Sequence, residues 1–206
     1  MTKTLEMKGA LNINEILSAS KGRLVRGDKS LSISGVSIDT RSIKKGELFI
    51  AIKGDRFDGH DFIEQAFVNG AAGAVINESQ IEKVAKGAGD SSKAVIVVSD
   101  TVWALQELAA FHRQKYTISL CAVTGTNGKT TTKEMIARIL SQRLFIVKNE
   151  GNLNNHIGVP LTLLRLKKNH QAGVIEMGMS GLGEITRLCE IAQPNIGVIT
   201  NIGPAH

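Results

Sequence analysis

Aromatic residues make up only 4% of the 206-residue chain, too few for the stacking platform of a single-strand nucleic-acid binder. Cysteine is scarcer still. Cys121 and Cys189 lie in separate apolar segments without the close spacing of a metal or redox pair, so they read as buried thiols in a reducing compartment. No apolar run approaches the roughly 18 residues that suggest a membrane-spanning helix. The start, Met1 to Ser20, is dotted with Lys3, Glu6, Lys8 and Glu15, unlike a secretory signal. A cytoplasmic protein without membrane insertion is expected. Internal repeats and low-complexity tracts are also missing, which excludes collagen-like repetition.

What the chain does have is 42% hydrophobic content at a mean hydropathy of +0.01, enough for one substantial core or two modest ones. Basic residues outnumber acidic ones 25 to 19, a formal charge of +6. They are scattered, the tightest group being Arg165, Lys167 and Lys168, with no polybasic tail. The excess therefore points to a phosphate-bearing small molecule ahead of nucleic acid.

Periodicity organises the chain. Asn12 and Glu15 frame a capped amphipathic helix carrying Ile13, Ile16 and Leu17. Gly35 to Ile38 and Glu47 to Ile52 read as short strands, Asp61 as the cap of a helix stopped by Gly70, and Ala74 to Ile76 as another strand. A short helix is expected over Ile81 to Ala85, then a buried strand over Ala94 to Val98. Ser99, Asp100 and Thr101 open a further helix, on whose edge His112 is expected as a solvated or satisfied residue ahead of the polar Arg113, Gln114 and Lys115. From Ile118 onward apolar runs at Ile118 to Val123, Leu144 to Val147, Val174 to Ile175 and Ile196 to Thr200 alternate with helical patterns, as in a parallel sheet. The expected class is α/β: a small α/β domain over residues 1–99 and a P-loop-type parallel-sheet domain over residues 100–206. The boundary is placed near Asp100, with Lys115 as its latest position.

The strongest motif is Thr124-Gly125-Thr126-Asn127-Gly128-Lys129-Thr130-Thr131, set between a strand and a helix as a phosphate-binding loop must be. Glycines let backbone amides converge on phosphate oxygens, Lys129 brings a mobile positive charge, and the Thr130 hydroxyl can ligate magnesium. The spacing is compressed: the first glycine of the commonest form would fall at position 123, which is Val123. No G-x-G-x-x-G and no Asn-Lys-x-Asp is present, which disfavours a dinucleotide site and a GTPase.

Ligands of a parallel α/β sheet gather at the carboxyl ends of its strands. There stand the loop after Val123, the run Asn149 to His156, Glu176 after Ile175, and Thr200, Asn201 and His206 after Ile199. A carboxylate at Glu176 and an imidazole at His206 would complete a magnesium site beside the loop. The competing reading makes Glu176 a turn cap, the asparagines partners of loop backbone, and His206 a frayed end.

The phosphate loop, the segment Glu150-Gly151-Asn152-Leu153-Asn154-Asn155-His156-Ile157-Gly158-Val159-Pro160 and the stretches Glu176 to Gly181 and Thr200 to His206 resemble the Mur ligases. Ser37-Ile38-Asp39-Thr40-Arg41 and Lys53-Gly54-Asp55-Arg56-Phe57-Asp58-Gly59-His60 are similar to the domain by which that family holds the UDP end of its substrate. His60 also reads as a turn residue, and His156 stands where the family often has an acidic residue. The resemblance implies a UDP-sugar-peptide domain over 1–99 and an ATP-binding domain over 100–206. It also implies an ADP-forming amide ligase that joins D-Ala-D-Ala to UDP-N-acetylmuramoyl-tripeptide through an acyl phosphate.

In that scheme Gly125, Thr126, Asn127, Gly128, Lys129, Thr130 and Thr131 hold ATP, and Thr130, Glu176 and His206 hold Mg2+. Lys129, Glu176 and His206 carry the catalysis, while Ser37, Asp39, Thr40, Arg41, Lys53, Asn152, Asn154 and Asn155 bind substrate. Family members are longer, so the resemblance implies an amino-terminal fragment of a monomeric enzyme, its ATP-binding domain incomplete and inactive alone. The alternatives are the sister ligase that adds the third peptide residue and a non-catalytic nucleotide or UDP-sugar binding module.

Overall fold

A computed structural model describes residues 11–82, 84 and 92–203, and divides the chain into two compact units that part between Leu105 and Gln106. The fold is mixed α/β, with a mainly parallel sheet in the first unit and a parallel sheet in the second. Among the described residues no helix is long and apolar enough to cross a membrane.

The first unit opens with β1 (Leu11–Asn12) and helix α1 (Ile13–Ser20). Asn12 Oδ1 accepts the Glu15 amide at 2.9 Å while Glu15 Oε2 accepts the Asn12 amide at 3.1 Å, so two otherwise unpaired helix-start amides are satisfied reciprocally. Strands β2 (Arg23–Arg26), β3 (Ser32–Ile33), β4 (Val36–Ser37) and β5 (Leu48–Ile50) follow. Beyond them lie helix α2 (Ile63–Val68), β6 (Gly73–Asn77) and β7 (Ala94–Val98). The main sheet has the order β2-β7-β6-β5-β4, and β1 pairs separately with β3. Neighbours from β4 to β7 run parallel and β2 lies antiparallel on β7. Every residue of β7 is buried, as expected of a strand covered on both faces. Ala74, Ile76, Val95 and Val97 share one cluster with Phe49, Ile63 and Ala66.

Two local expectations change here. The helix expected to be capped by Asp61 is preceded by a 3-10 turn over Gly59–Phe62 whose cap is Asp58, accepting the His60 amide at 3.0 Å. Asp58 takes that place because the turn closes one step earlier, with the Asp61 amide donating to the Asp58 carbonyl at 3.1 Å. Gly70, at φ 106°, does end the segment. The short helix expected from Ile81 is helical at Ile81, Glu82 and Val84, and Ala85 lies outside the described residues.

Helix α3 (Thr101–Gln114) is capped by Asp100, whose Oδ1 accepts the Val102 and Trp103 amides at 2.8 and 3.0 Å. His112 is 3% exposed and its Nε2 lies 3.1 Å from the Leu166 carbonyl, so it is a core residue rather than an edge one. Arg113, expected in a polar stretch, is also buried, its guanidinium donating to the carbonyls of Ala192, Tyr116 and Ile118.

The second unit contains β8 (Ser119–Thr124), α4 (Lys129–Leu140), β9 (Ile146–Lys148) and α5 (Gly158–Leu163). It continues with β10 (Ala172–Glu176), α6 (Glu184–Ala192) and β11 (Ile196–Ile199). All pairings are parallel in the order β11-β8-β10-β9. The period of two divides β8 cleanly. Leu120 and Ala122 pack with Leu163 of α5 and Leu188 and Ile191 of α6, whereas Cys121 and Val123 pack with Ala137 of α4. With helices on both faces, the open ground for a ligand is the carboxyl end of the strands.

Candidate active site

The phosphate-loop residues sit between β8 and α4, at the carboxyl end of a central strand. Gly128 caps α4 in the left-handed region at φ 79° with no side-chain cap bond. Thr132 is the first residue to donate back along the helix, to the Gly128 carbonyl at 2.9 Å. The amides of Lys129, Thr130 and Thr131 thus belong to the first turn, where no intrahelical acceptor exists and the helix dipole favours an anion. Lys129 Nζ arches over the loop, donating to the carbonyls of Gly125 at 2.7 Å and Thr126 at 3.0 Å. Thr130 and Thr131 are exposed.

The opposite half of the loop is spent on structure. The Thr126 amide donates to the Asn201 carbonyl at 3.1 Å and the Asn127 amide to Asn201 Oδ1 at 2.9 Å. Thr200 Oγ1 donates to the Asn127 carbonyl at 2.6 Å, and Thr126 Oγ1 exchanges bonds with Gly203 at 3.0 and 3.1 Å. Gly125 makes this closeness feasible: at φ 134°, a Cβ there would stand 2.2 Å from Thr200 Oγ1. The exit of β11 therefore shapes the loop, a role that sequence reasoning missed for Asn201. His206 lies outside the described residues.

Glu176 closes β10 and is 2% exposed. Its Oε1 accepts from Asn154 Nδ2 at 2.8 Å, while Oε2 is buried without a hydrogen-bond partner among the described residues. Asn149, 0% exposed, grips the Glu176 peptide from both sides: Oδ1 accepts its amide at 2.9 Å and Nδ2 donates to its carbonyl at 2.8 Å. The asparagine side chain continues the sheet pairing past the end of β9. The three asparagines expected to touch substrate divide accordingly. Asn154 holds Glu176, Asn155 Oδ1 accepts the amides of Ile157 and Gly158 at the start of α5, and Asn152 is exposed. The exposed His156 offers its carbonyl to Gln106 Nε2 at 3.1 Å.

In the first unit the expected substrate residues follow the carboxyl ends of β4 and β5. Ser37 Oγ and the Asp39 backbone exchange bonds at 3.0 and 3.1 Å. Asp39 accepts the Arg41 guanidinium through both oxygens, with Arg41 Nη2 2.6 Å from Oδ2. Those bonds from Arg41 hold the Asp39 carboxyl below the usual carboxylate range. The Thr40 carbonyl is bound by Asn69 Nδ2 at 2.7 Å. Lys53 bridges Asp58 across a turn. Buried His60 joins the turn to the end of β6: Nδ1 lies 2.5 Å from Asp58 Oδ1, and Nε2 accepts the Asn77 amide at 3.0 Å. An Nε2 that accepts fixes the tautomer, leaving the proton on Nδ1. Burial would push the Asp58 carboxyl up, but hydrogen bonds from the His60 amide and ring, with the charge of Lys53, outweigh it and lower it.

The same two-part pattern is found among known proteins. A model described as Mur ligase family, catalytic domain, matches residues 32–113, and one described as Mur ligase middle domain matches residues 123–206. The UDP-N-acetylmuramoyl-tripeptide–D-alanyl-D-alanine ligase of Synechocystis is 47% identical over 178 residues, covering 86% of this chain and 38% of the relative. A crystal structure of MurF from Acinetobacter baumannii superposes with TM-score 0.84 at 37% identity, over 96% of this chain and 42% of that one. MurF from Thermotoga maritima in complex with ADP gives 0.71 at 34% identity, over 84% of this chain and 38% of that one. The chain thus spans about two fifths of the length of these relatives. Sequence and fold agree across both units, and the chain belongs to the Mur ligase family.

Proposed function

We propose that the chain is the amino-terminal part of an ATP-dependent, ADP-forming amide ligase of the MurF type, acting in the cytoplasm in peptidoglycan precursor synthesis. Its substrates are UDP-N-acetylmuramoyl-tripeptide and D-Ala-D-Ala. The observation that carries the reading is a phosphate loop with Lys129 and a helix start that has no side-chain cap, at the carboxyl end of the same sheet as a buried carboxylate that keeps one oxygen free of hydrogen bonds among the described residues. The relatives at 34–47% identity bear MurF names, and one was solved with ADP.

Residues 100–206 hold ATP in this reading. The amides of Gly128 to Thr131 and the Lys129 ammonium bind phosphate oxygens, and Gly125, Thr126 and Asn127 hold the loop in shape for them. Magnesium fits the donor set: Glu176 Oε2 and the Thr130 hydroxyl are hard oxygens. Among the described residues no group of three His, Cys, Asp or Glu could hold a metal. That pattern suits an ion bound through one carboxylate, one hydroxyl and nucleotide phosphates. His206 is assigned as the ligand of a second ion.

ATP would supply the γ-phosphoryl group that converts the tripeptide's terminal carboxylate to an acyl phosphate with release of ADP, and the incoming amine would attack the acyl carbon and expel inorganic phosphate, leaving an amide. The chain's own task is electrostatic: Lys129 and the helix start let two anions approach without repulsion. Residues 1–99 are assigned the UDP end of the other substrate, through Ser37, Asp39, Thr40, Arg41 and Lys53; within residues 100–206, Asn152, Asn154 and Asn155 are assigned to substrate binding.

The test uses the full-length ligase that carries this chain. D-Ala-D-Ala-dependent phosphate release should fall by about a hundredfold or more in Lys129→Ala, and unchanged turnover would remove Lys129 from the mechanism. Offering a diamino acid with the dipeptide precursor separates the sister ligase, and saturable UDP-muramoyl-peptide binding without phosphate release would identify a binding module.

A further inference from the structure

Helix α4 carries a second lysine one turn beyond the phosphate loop. Lys129 and Lys133 are four residues apart and share a helix face, but their surroundings differ. Lys133 is 1% exposed, and a buried ammonium is costly unless it is paired. Its Nζ donates to the Asn149 carbonyl at 3.1 Å and meets Glu134 Oε1 at 3.1 Å, and it stands 3.7 Å from Glu176 Oε2. Glu134 pairs in turn with Lys148 on β9. Charges thus alternate from the surface inward, Lys148, Glu134, Lys133, Glu176, and tie α4 to β9 and β10.

The 3.7 Å separation is decisive. It is close enough for an ion pair and too long for a hydrogen bond, so Lys133 balances the Glu176 charge without consuming the Oε2 lone pairs. With Oε1 bound to Asn154 and the Glu176 peptide held by Asn149, the carboxylate is oriented from three sides and one oxygen is left for a cation. We infer that Lys133 is a positioning residue that presents Glu176 Oε2 to the divalent ion accompanying the nucleotide. The inference rests on the proposed nucleotide site and adds a residue that its chemistry does not otherwise use.

The test is calorimetric titration of ADP into the full-length ligase that carries this chain, across a series of Mg2+ concentrations, for the parent, Lys133→Met and Lys133→Arg. Removing the partner that orients a metal ligand costs about 10- to 100-fold in metal affinity. Lys133→Met should raise the Mg2+ concentration for half-maximal enhancement by that factor while leaving metal-free ADP binding within about twofold, and Lys133→Arg should fall between. A Mg2+ requirement unchanged in folded Lys133→Met overturns the inference. So does an equal loss of metal-free and metal-assisted binding, which would make Lys133 a support of the loop or the fold.

If Lys133→Met does not fold, the double variant Lys133→Met/Glu176→Gln decides, because it removes both buried charges together. Recovery of a cooperative melting transition supports the coupling, and failure to recover overturns it. A parent that binds ADP with no response to Mg2+ counts against the proposed nucleotide site. The melting comparison of the two variants then judges the Lys133–Glu176 pair by itself.

Discussion

Single side chains do unusually specific work around the strand ends. Asn149 replaces a missing stretch of strand, satisfying the amide and carbonyl of Glu176 and the carbonyl of Leu153 at 2.8–2.9 Å. Asn149→Ala leaves these buried groups unpaired, at about 1–3 kcal/mol for the first orphaned group. We expect a loss of at least about 2 kcal/mol in urea unfolding followed by circular dichroism, and a variant as stable as the parent would show that water replaces the amide. His60 shows the same economy, since one neutral ring joins Asp58 to the Asn77 amide. Neither role can be read from residue type. An asparagine after a strand and a histidine in a glycine-rich turn look alike whether they face solvent or replace backbone, and only the register of the neighbouring strand decides.

Among elements, the loop between β8 and α4 contains two glycines with unequal constraints. A Cβ on Gly128 meets nothing within 4 Å, whereas one on Gly125 falls 2.2 Å from Thr200 Oγ1 and 2.9 Å from the Asn201 carbonyl. Gly128→Ala should therefore cost about 1–2 kcal/mol, the penalty of a left-handed backbone alone. Gly125→Ala should cost more, lowering the melting temperature further and detaching the exit of β11. Equal melting temperatures would refute the ranking. The strand, loop and helix were legible because alternation, glycine and the Lys-Thr start are all local signals. The α1 capping box and the fully apolar β7 were legible for the same reason. Asp61 was mistaken for a cap because Asp58 lies three residues earlier in an equally plausible turn, and carbonyl geometry chooses between them. Arg113 reads from sequence as part of a polar stretch, and Lys133 gives no signal of its own there, because the compensation for both comes from carbonyls and carboxylates far along the chain.

Across the molecule, each unit carries its own sheet, and the second has at one edge a strand, β11, that packs Val198 inward but leaves two isoleucines exposed. Ile196 is 55% and Ile199 63% exposed on β11. An uncovered apolar edge is a template for pairing with another chain. Light scattering should show concentration-dependent association of the 206-residue chain that Ile196→Lys reduces, and a chain that stays monomeric at every concentration would refute this. Fold class was legible at this scale because the βα rhythm is long and regular, whereas the order β11-β8-β10-β9 depends on crossovers that no local pattern encodes. The fastening of Thr126 and Asn127 to Asn201 links stretches of backbone 74 residues apart. In deuterated solvent the protons on those two amides can be replaced only when the peptide beyond Ile199 lifts away, so they should exchange as one cooperative set, at a rate governed by the far end of the sheet.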